Sequence, residues 1–297
     1  MSEKLNIRSY RMMSTSAKHF IIFLFFSDIL FASNEYRYSE VISQMEELYK
    51  NYSAQTRMLS LGKSLEGRPI YALELGESNA NKNLYLNAAH HGNELASTQG
   101  LIGVLEYLLE NQSNPRVKTL LSQFNIVVQP VVNPDGFVRK SRYDSLGRDP
   151  NRDYAHPNKT NDNSFQIPAV RLVRDLLSRY KFTGAISFHS GSEGVLFPWC
   201  HSEKKNPHHQ HFLTLASRTA GAMGHKYFSQ SYFDYYTSGE FIDYAYMQYR
   251  TLAVTFEVSK AHTLHKNDQE VLIAKSIDGV ITFMNTLLDL ETLEPAT

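Results

Sequence analysis

Apolar residues recur along this chain with two spacings, which predict alternating helices and strands from about residue 38 onward. Intervals of three and four residues, as between Val41, Met45 and Leu48, are typical of a helix that buries one face. Short unbroken apolar runs are typical of strands that are buried on both faces. The predicted helices are 39–52, 95–111, 170–180, 212–223, 242–249 and 268–288, and the predicted strands are 69–75, 84–89, 126–132, 184–188 and 252–258.

Buried strands that alternate with helices predict the α/β class. We expect a three-layer α/β/α sandwich, in which a mixed, largely parallel and twisted sheet carries helices on both faces. No internal repeat or low-complexity linker interrupts the alternation, so residues 33–297 are expected to form one domain. Ligand sites in such sheets gather at the carboxyl ends of the strands.

The first 32 residues have the layout of a secretory signal peptide. An apolar run at 20–31 and a small-residue exit at Ala32-Ser33 follow a basic region, whose cations are Lys4, Arg8, Arg11 and Lys18. The run is short for a transmembrane helix, which needs roughly 20 apolar residues. We therefore expect a secreted or periplasmic protein with no stable membrane insertion after signal removal. A start at Met12 or Met13, or an amphipathic or buried N-terminal helix, are the alternatives.

Composition narrows the function classes. The 30 basic residues balance the 30 acidic ones, so no charge excess points to a nucleic-acid partner. Because the chain has a single cysteine, Cys200, an intramolecular disulfide and a cysteine-based zinc finger are excluded. We expect Cys200 to be a small buried apolar residue. Four histidines between residues 201 and 211 have a spacing that fits no standard metal site, and a loop is the preferred interpretation.

Chemistry-bearing residues follow three of the predicted strands. His91 and Glu94 come after strand 84–89, while His189 and Glu257 lie at or near the ends of two later strands. Two histidines and one carboxylate form a known catalytic zinc set, which leaves a position open for water. His91, Glu94 and His189 are therefore candidate ligands of one Zn²⁺ per chain, although a lone histidine at a strand end is more often structural.

Hydrolysis at zinc also needs a general base and a cation that stabilises the developing oxyanion. Two further residues are candidates for these roles. Glu257 is the candidate base, because burying a carboxylate within an apolar strand costs several kcal/mol unless it is paired or functional. Arg139 is the candidate cation. By default its basic run, residues 139–142, would be a solvated loop.

From about residue 61 to residue 280 the chain resembles the zinc carboxypeptidase family, the metallocarboxypeptidases related to pancreatic carboxypeptidase A, a known example of a zinc site with two histidines and one glutamate. The matching motifs occur in the family's order. They are His91-Gly92-Asn93-Glu94, Asn133-Pro134-Asp135-Gly136-Phe137, Asp149-Pro150-Asn151-Arg152, Phe188-His189-Ser190, Tyr235-Tyr236-Thr237-Ser238-Gly239 and Thr255-Phe256-Glu257.

The resemblance implies a zinc-dependent hydrolase that removes the C-terminal residue of peptides or proteins, with Glu257 as base and Arg139 on the scissile carbonyl. It also implies that Asn151, Arg152 and Tyr235 hold the substrate's free carboxylate, and that Asp149 supports a zinc-binding histidine.

Ile242 aligns with the floor of the side-chain pocket, where an apolar residue implies aliphatic or aromatic C-terminal residues. Glu240 and Asp243 stand close enough in sequence that a small shift of alignment would reverse this preference. Asp153 follows Arg152 where many relatives carry asparagine, and its charge is a second candidate influence on preference.

Two alternatives remain open. Asn93 stands where digestive members carry arginine, and the motif His-Gly-Asn-Glu is similar to that of the regulatory branch and of many bacterial members. Bacterial relatives trim cell-wall muropeptides that contain D-glutamate and diaminopimelate. The partner is thus a peptide or muropeptide with a free C-terminal carboxylate, and the chain is expected to be a monomer. The other alternative is a carbohydrate- or peptide-binding protein on an inactive hydrolase scaffold.

Overall fold

The computed structural model describes residues 36–77, 80–157 and 163–291, which contain eight strands and eight helices. The strands are β1 (Thr56–Lys63), β2 (Pro69–Gly76), β3 (Lys82–Ala88), β4 (Phe124–Gln129), β5 (Gly184–His189), β6 (Ser192–Phe197), β7 (Phe228–Gln230) and β8 (Leu252–Ser259). The helices are α1 (Tyr38–Asn51), α2 (Leu95–Glu110), α3 (Pro115–Gln123), α4 (Pro134–Arg139), α5 (Pro168–Tyr180), α6 (His209–Ala222), α7 (Phe241–Tyr249) and α8 (Lys266–Glu291).

All eight strands form one mixed sheet in the order β1-β2-β4-β3-β5-β8-β6-β7. The four central strands, β4, β3, β5 and β8, run parallel to one another. Antiparallel pairing attaches β2 and β1 on one side and β6 on the other, and β7 pairs parallel with β6. The predicted α/β architecture, with a mixed and largely parallel sheet, is confirmed.

Each face of the sheet has its own hydrophobic core, because side chains alternate between the faces of a strand. In β3, Leu84 and Leu86 belong to the core under α2 and α8, whereas Tyr85 belongs to the core under α5 and α7. By length and composition α8 could span a membrane over Asn267–Leu290, yet 61% of its apolar window is buried in the fold, as in a core helix.

The predicted element boundaries hold to within a few residues, apart from the strand predicted at 126–132. That strand ends at Gln129, because Pro130 has no N–H to continue the ladder. The elements that the apolar pattern missed are short or lie towards the sheet edges, where one face is exposed. They are β1, β6, β7, α3 and α4.

The proposed signal peptide, residues 1–32, lies outside the described residues and stays a prediction. Within the described ranges, the residues from 36 to 291 belong to a single compact unit.

Two sequence motifs meet backbone to backbone beside β3. A Cβ atom on Gly92 would lie 2.0 Å from the carbonyl carbon of Gly136, and one on Gly136 would lie 2.6 Å from the carbonyl oxygen of Tyr143. Only residues without a side chain allow this approach. The turn that carries His91 and Glu94 is therefore fixed against the turn that begins α4.

We predict that Gly92→Ala lowers the free energy of unfolding by about 3 kcal/mol or more, since backbone atoms cannot move aside for the new methyl group. Gly221→Ala is the matched control. Gly221 lies in α6 with open space around it, so the change should raise stability by about 1 kcal/mol through helix propensity. Urea denaturation followed by circular dichroism measures both, and equal stability of the two variants would contradict the prediction.

Candidate active site

The strand order brings the predicted site residues together. Strands β3, β5 and β8 are neighbours and parallel, so their carboxyl ends meet at one edge of the sheet. His189 is the last residue of β5 and pairs in register with Glu257 of β8. Beyond β3, Ala89 adopts a left-handed conformation with φ of 51°, which turns the chain sharply before His91.

His91, Glu94 and His189 form a compact buried triad. The Nδ1 atom of His91 lies 2.7 Å from Glu94 Oε1, and Nδ1 of His189 lies 3.0 Å from Glu94 Oε2. Their possible ligand atoms all lie within 4.8 Å of one another. Burial opposes ionisation of Glu94, but the two histidines outweigh it, and the pKa of this carboxyl lies well below its usual range.

The triad fits a zinc ion by the chemistry of its donors. Two imidazole nitrogens and one ionised carboxylate are the ligands of a catalytic zinc site with three protein ligands. Among the residues that the structure describes, this is the cluster of histidine, cysteine and acidic side chains able to hold a metal ion. Of the histidines between 201 and 211, for which a loop was expected, His209 and His211 instead lie in the first turn of α6.

Asp149 orients His91 from the outer side. Its Oδ1 atom lies 3.1 Å from His91 Nε2, while its Oδ2 accepts a hydrogen bond of 2.9 Å from Arg142 Nε. The backbone N–H of Asn151 donates to Oδ1 as well, at 2.9 Å. Because Nε2 then donates its proton to Asp149, Nδ1 is the nitrogen that presents a lone pair to a metal.

His189 is oriented by a buried polar network rather than by a carboxylate. Its Nε2 lies 3.2 Å from Ser187 Oγ, which donates to Asn87 Oδ1 at 2.9 Å. Ser187 Oγ also lies 3.3 Å from His90 Nδ1, and Nε2 of that ring lies 2.8 Å from the Tyr154 hydroxyl. His90, the residue before the candidate ligand His91, thus supports the other candidate histidine ligand, His189, a role that had no signal in the sequence.

Glu257 differs from Glu94, Asp149 and Glu240 because none of the described ion pairs involves it. Within the described part of the chain, its shielded Oε2 atom has no hydrogen-bond partner. Burial raises the pKa of Glu257 to about 7, with His189 opposing and Glu94 adding to the rise. A carboxyl group whose pKa lies near neutrality is suited to accept and return a proton.

The structure does not bring Arg139 to the triad. Arg139 ends α4, and its guanidinium pairs with Glu66 at the surface. Lys140 then adopts a left-handed conformation with φ of 51° and reverses the chain. As a result Arg142 reaches the site instead, with NH1 3.3 Å from His91 Nδ1. The position of the two arginines in the sequence did not show which of them would reach the triad.

Asn151, Arg152 and Tyr235 lie together beside the triad. Asn151 Oδ1 accepts a hydrogen bond of 3.0 Å from the backbone N–H of Phe241, which leaves its Nδ2 as a donor. Arg152 donates from NH2 to the Tyr235 hydroxyl at 3.1 Å, and its guanidinium lies over the Tyr235 ring. The three residues predicted to hold a carboxylate are therefore neighbours in space.

The residues around Ile242 divide into three environments. Ile242 itself is 1% exposed and belongs to the core under α7. Asp243 accepts hydrogen bonds from the backbone of Cys200 and from the ring of His201, so its carboxylate holds a loop. Glu240 instead turns towards Arg152, at 3.1 Å. Cys200 is buried, as predicted.

The carboxylate of Asp153 is bound by the backbone that leads into α5. Its carboxylate accepts backbone hydrogen bonds from Gln166 at 3.0 Å and from Ile167 at 2.7 Å. These bonds fix the chain that enters α5, so the charge of Asp153 has a structural role.

The sequence model of the zinc carboxypeptidase family matches residues 41–278, most of the chain. The chain belongs to the zinc carboxypeptidase family. The match includes the triad, Asp149 and Glu257, and the family's metal is zinc, as the donor set predicts.

The chain aligns with only part of the length of named relatives in the zinc carboxypeptidase family. The chain is 25% identical to zinc carboxypeptidase A 1 of Anopheles gambiae over 74% of this chain and 58% of that protein. It is 29% identical to carboxypeptidase D of Anas platyrhynchos over 54% of this chain and 13% of that protein. The chain thus spans less than two thirds of the length of these relatives.

The fold is also that of solved carboxypeptidases. The crystal structure of carboxypeptidase A from Helicoverpa armigera superposes with a TM-score of 0.79, at 17% identity, over 87% of this chain and 75% of that one. At 17% sequence identity, this structural similarity establishes a shared fold.

We predict that Asp149→Asn weakens zinc binding about 10-fold to 100-fold, because the amide no longer attracts the proton of His91 Nε2 and no longer anchors Arg142. Competition with a chromogenic chelator measures the affinity. Asp175→Asn is the matched control, since that carboxylate is exposed and pairs only with Arg174 in the described contacts. Unchanged zinc affinity in Asp149→Asn would refute the supporting role.

Proposed function

We propose that this chain is a metallocarboxypeptidase that hydrolyses the C-terminal peptide bond of peptides or proteins. One observation carries the proposal: a buried triad that fits zinc lies beside both an uncompensated Glu257 and the cluster of Arg152 with Tyr235. The triad and base supply hydrolysis, and the cluster supplies selection of a free carboxylate. Export through residues 1–32 is part of the proposal and rests on the sequence alone.

His91, Glu94 and His189 would hold zinc, which would supply a Lewis acid for water and for a carbonyl oxygen. Glu257 accepts the proton of the attacking water and returns it to the leaving amine. Burial raises the pKa of Glu257 to about 7. Zinc in the triad would lower that pKa, so the carboxylate would be ionised and ready to accept a proton at neutral pH.

Arg142 takes the role of the cation for the carbonyl oxygen in this proposal, in place of Arg139. Its NH1 atom lies 3.3 Å from the metal-facing nitrogen of His91, and Asp149 fixes the guanidinium through Nε. A positioned cation stabilises the negative charge that develops as water adds to the carbonyl. The guanidinium of Arg139 is engaged by Glu66.

The terminal carboxylate of the substrate binds Arg152 and Tyr235, with the Asn151 amide as a further donor. Arg152 is pre-oriented, since it donates to the Asn151 carbonyl oxygen at 2.7 Å and to the Tyr235 hydroxyl. A fixed guanidinium recognises a carboxylate through two parallel hydrogen bonds. This grip limits cleavage to the last peptide bond.

We predict that Glu257→Gln lowers kcat about 10²-fold to 10⁴-fold and leaves zinc bound, because the amide cannot accept the proton. Mass spectrometry of products from peptides with different C-terminal residues measures turnover, and metal analysis measures zinc. Glu193→Gln, a change at a partly exposed position on β6, is the control. Full activity in Glu257→Gln would remove this residue from the mechanism, and a wild-type chain that binds peptides without cleaving them would favour the binding-protein alternative.

We predict that Arg142→Ala lowers kcat/KM about 10²-fold to 10³-fold, as expected for loss of an oxyanion-stabilising group. Arg139→Ala, the matched change three residues earlier, should alter kcat/KM only slightly. Zinc affinity is measured in parallel, since Arg142 also anchors Asp149. The reverse ranking of the two variants would return Arg139 to the catalytic role.

A further inference from the structure

His262 lies beside the triad, although the proposed mechanism does not use it. It belongs to the loop between β8 and α8, and its carbonyl oxygen accepts a hydrogen bond of 2.8 Å from the N–H of Ala96, in the first turn of α2. The Nδ1 atom of its ring lies 3.2 Å from the Ser190 hydroxyl. The loop after β8 therefore holds an imidazole against the turn that follows the candidate ligand His189.

Further contacts fix this imidazole in place. The N–H of Gly191 donates to the carbonyl oxygen of Ser259 at 2.7 Å, and the N–H of Ala261 donates to the Ser259 hydroxyl at 3.1 Å. The His262 ring lies over Gly191, where a Cβ atom would be 3.0 Å from its Cε1 atom. Because these contacts already order the ring, binding a ligand to it costs little further conformational entropy.

One nitrogen of the His262 ring is available to a ligand. Among the described residues, Nδ1 of this ring is the acceptor in contact with the Ser190 hydroxyl, so the hydroxyl donates to it. The ring proton then resides on Nε2, which has no hydrogen-bond partner in the described contacts. His262 is exposed, whereas His91 and His189 are buried. An N–H donor that solvent can reach therefore lies next to the triad.

His262 and Arg152 approach the triad through different residues. The N–H of Ser190, which His262 contacts through the hydroxyl, donates to Glu94 Oε2 at 3.0 Å. Arg152 lies instead on the side of Asp149, whose pKa it helps to lower. A peptide whose terminal carboxylate binds Arg152, and whose last peptide bond lies at the triad, has to continue beyond the triad. The side of Glu94 and His262 is then the path of its upstream residues.

The surroundings of His262 favour a ligand that carries an acceptor oxygen. An imidazole N–H donates to carbonyl and carboxylate oxygens. Lys260, the cation of the same loop, has a side chain that is 81% exposed and lies 4.0 Å from Glu193, so its charge does not oppose an anionic ligand. A hydrogen bond at such an exposed place gives a modest preference rather than an absolute one.

We propose that His262 determines specificity for the residue that precedes the scissile bond, by donating from Nε2 to a side-chain oxygen of that residue. Glutamine and glutamate carry such an oxygen at the end of a flexible side chain. Methionine has a side chain of similar length and offers no oxygen. The inference rests on the proposed carboxypeptidase function, and it adds a contact upstream of the bond that is cleaved.

The test compares peptides that share one C-terminal residue and differ in the residue before it, which is glutamine, glutamate, methionine or leucine. We expect the wild-type chain to prefer glutamine and glutamate over methionine about threefold to tenfold in kcat/KM. His262→Phe keeps a ring over Gly191 but removes the donor, so it should abolish the preference. His262→Gln offers an amide N–H and should keep part of it.

His265→Phe is the matched control, because His265 is an exposed histidine of the same loop, and it should match the wild type. Zinc affinity is measured in each variant, since a disturbed triad would lower activity on all four peptides and leave their ratio unchanged. The inference would be overturned by an unchanged ratio in His262→Phe or by an equal loss of preference in His265→Phe. A wild-type preference that appears only at the third residue from the end would also overturn it.

Calorimetry with zinc-loaded Glu257→Gln, with and without His262→Phe, measures the preference in binding without turnover. A binding preference that is lost with His262→Phe supports the inference. If the wild-type chain then cleaves none of the peptides, that result counts against the carboxypeptidase function alone. Equal binding of the glutamine and methionine peptides, in a chain that cleaves both at equal rates, would overturn the inference and leave the carboxypeptidase function intact.

Discussion

The carboxylate of Glu94 joins two histidines that come from different strands, and the rest of the site depends on this contact. Each of its oxygens faces one imidazole nitrogen, at 2.7 Å and 3.0 Å. The contact exists because β3 and β5 are adjacent and parallel, so that their carboxyl ends meet. Burying these groups costs several kcal/mol unless they are compensated. Asp149 and Ser187 orient the two rings from outside.

Charge pairing divides the acidic residues of the site by role. Asp149 is paired with Arg142, and Glu240 is paired with Arg152, so the charge of each carboxylate is balanced by an arginine. Glu257 has no ion pair within this described group, and burial raises its pKa to about 7. A divalent cation in the triad would lower that pKa and increase the ionised fraction at neutral pH.

Much of this organisation could be predicted because it depends on local patterns. Unbroken apolar runs identified β3, β5 and β8, and the rule that ligands gather at strand ends selected His91, His189 and Glu257. The pattern failed at β1 and at β6, which are partly exposed and carry less apolar sequence. It also gave no reason to assign His90 to the support of His189, since that contact crosses between strands.

The sequence by itself determined the layered fold and pointed to the candidate zinc ligands and the candidate base, because strand periodicity and ligand chemistry are properties of the residues themselves. Only the tertiary structure decided which arginine reaches the site, since the left-handed turn at Lys140 directs Arg139 to Glu66 and Arg142 to Asp149. The contact between Arg152 and Glu240 was likewise decided only by the tertiary structure. Segments far apart in the chain bring these two charges together, and no spacing rule records such a contact.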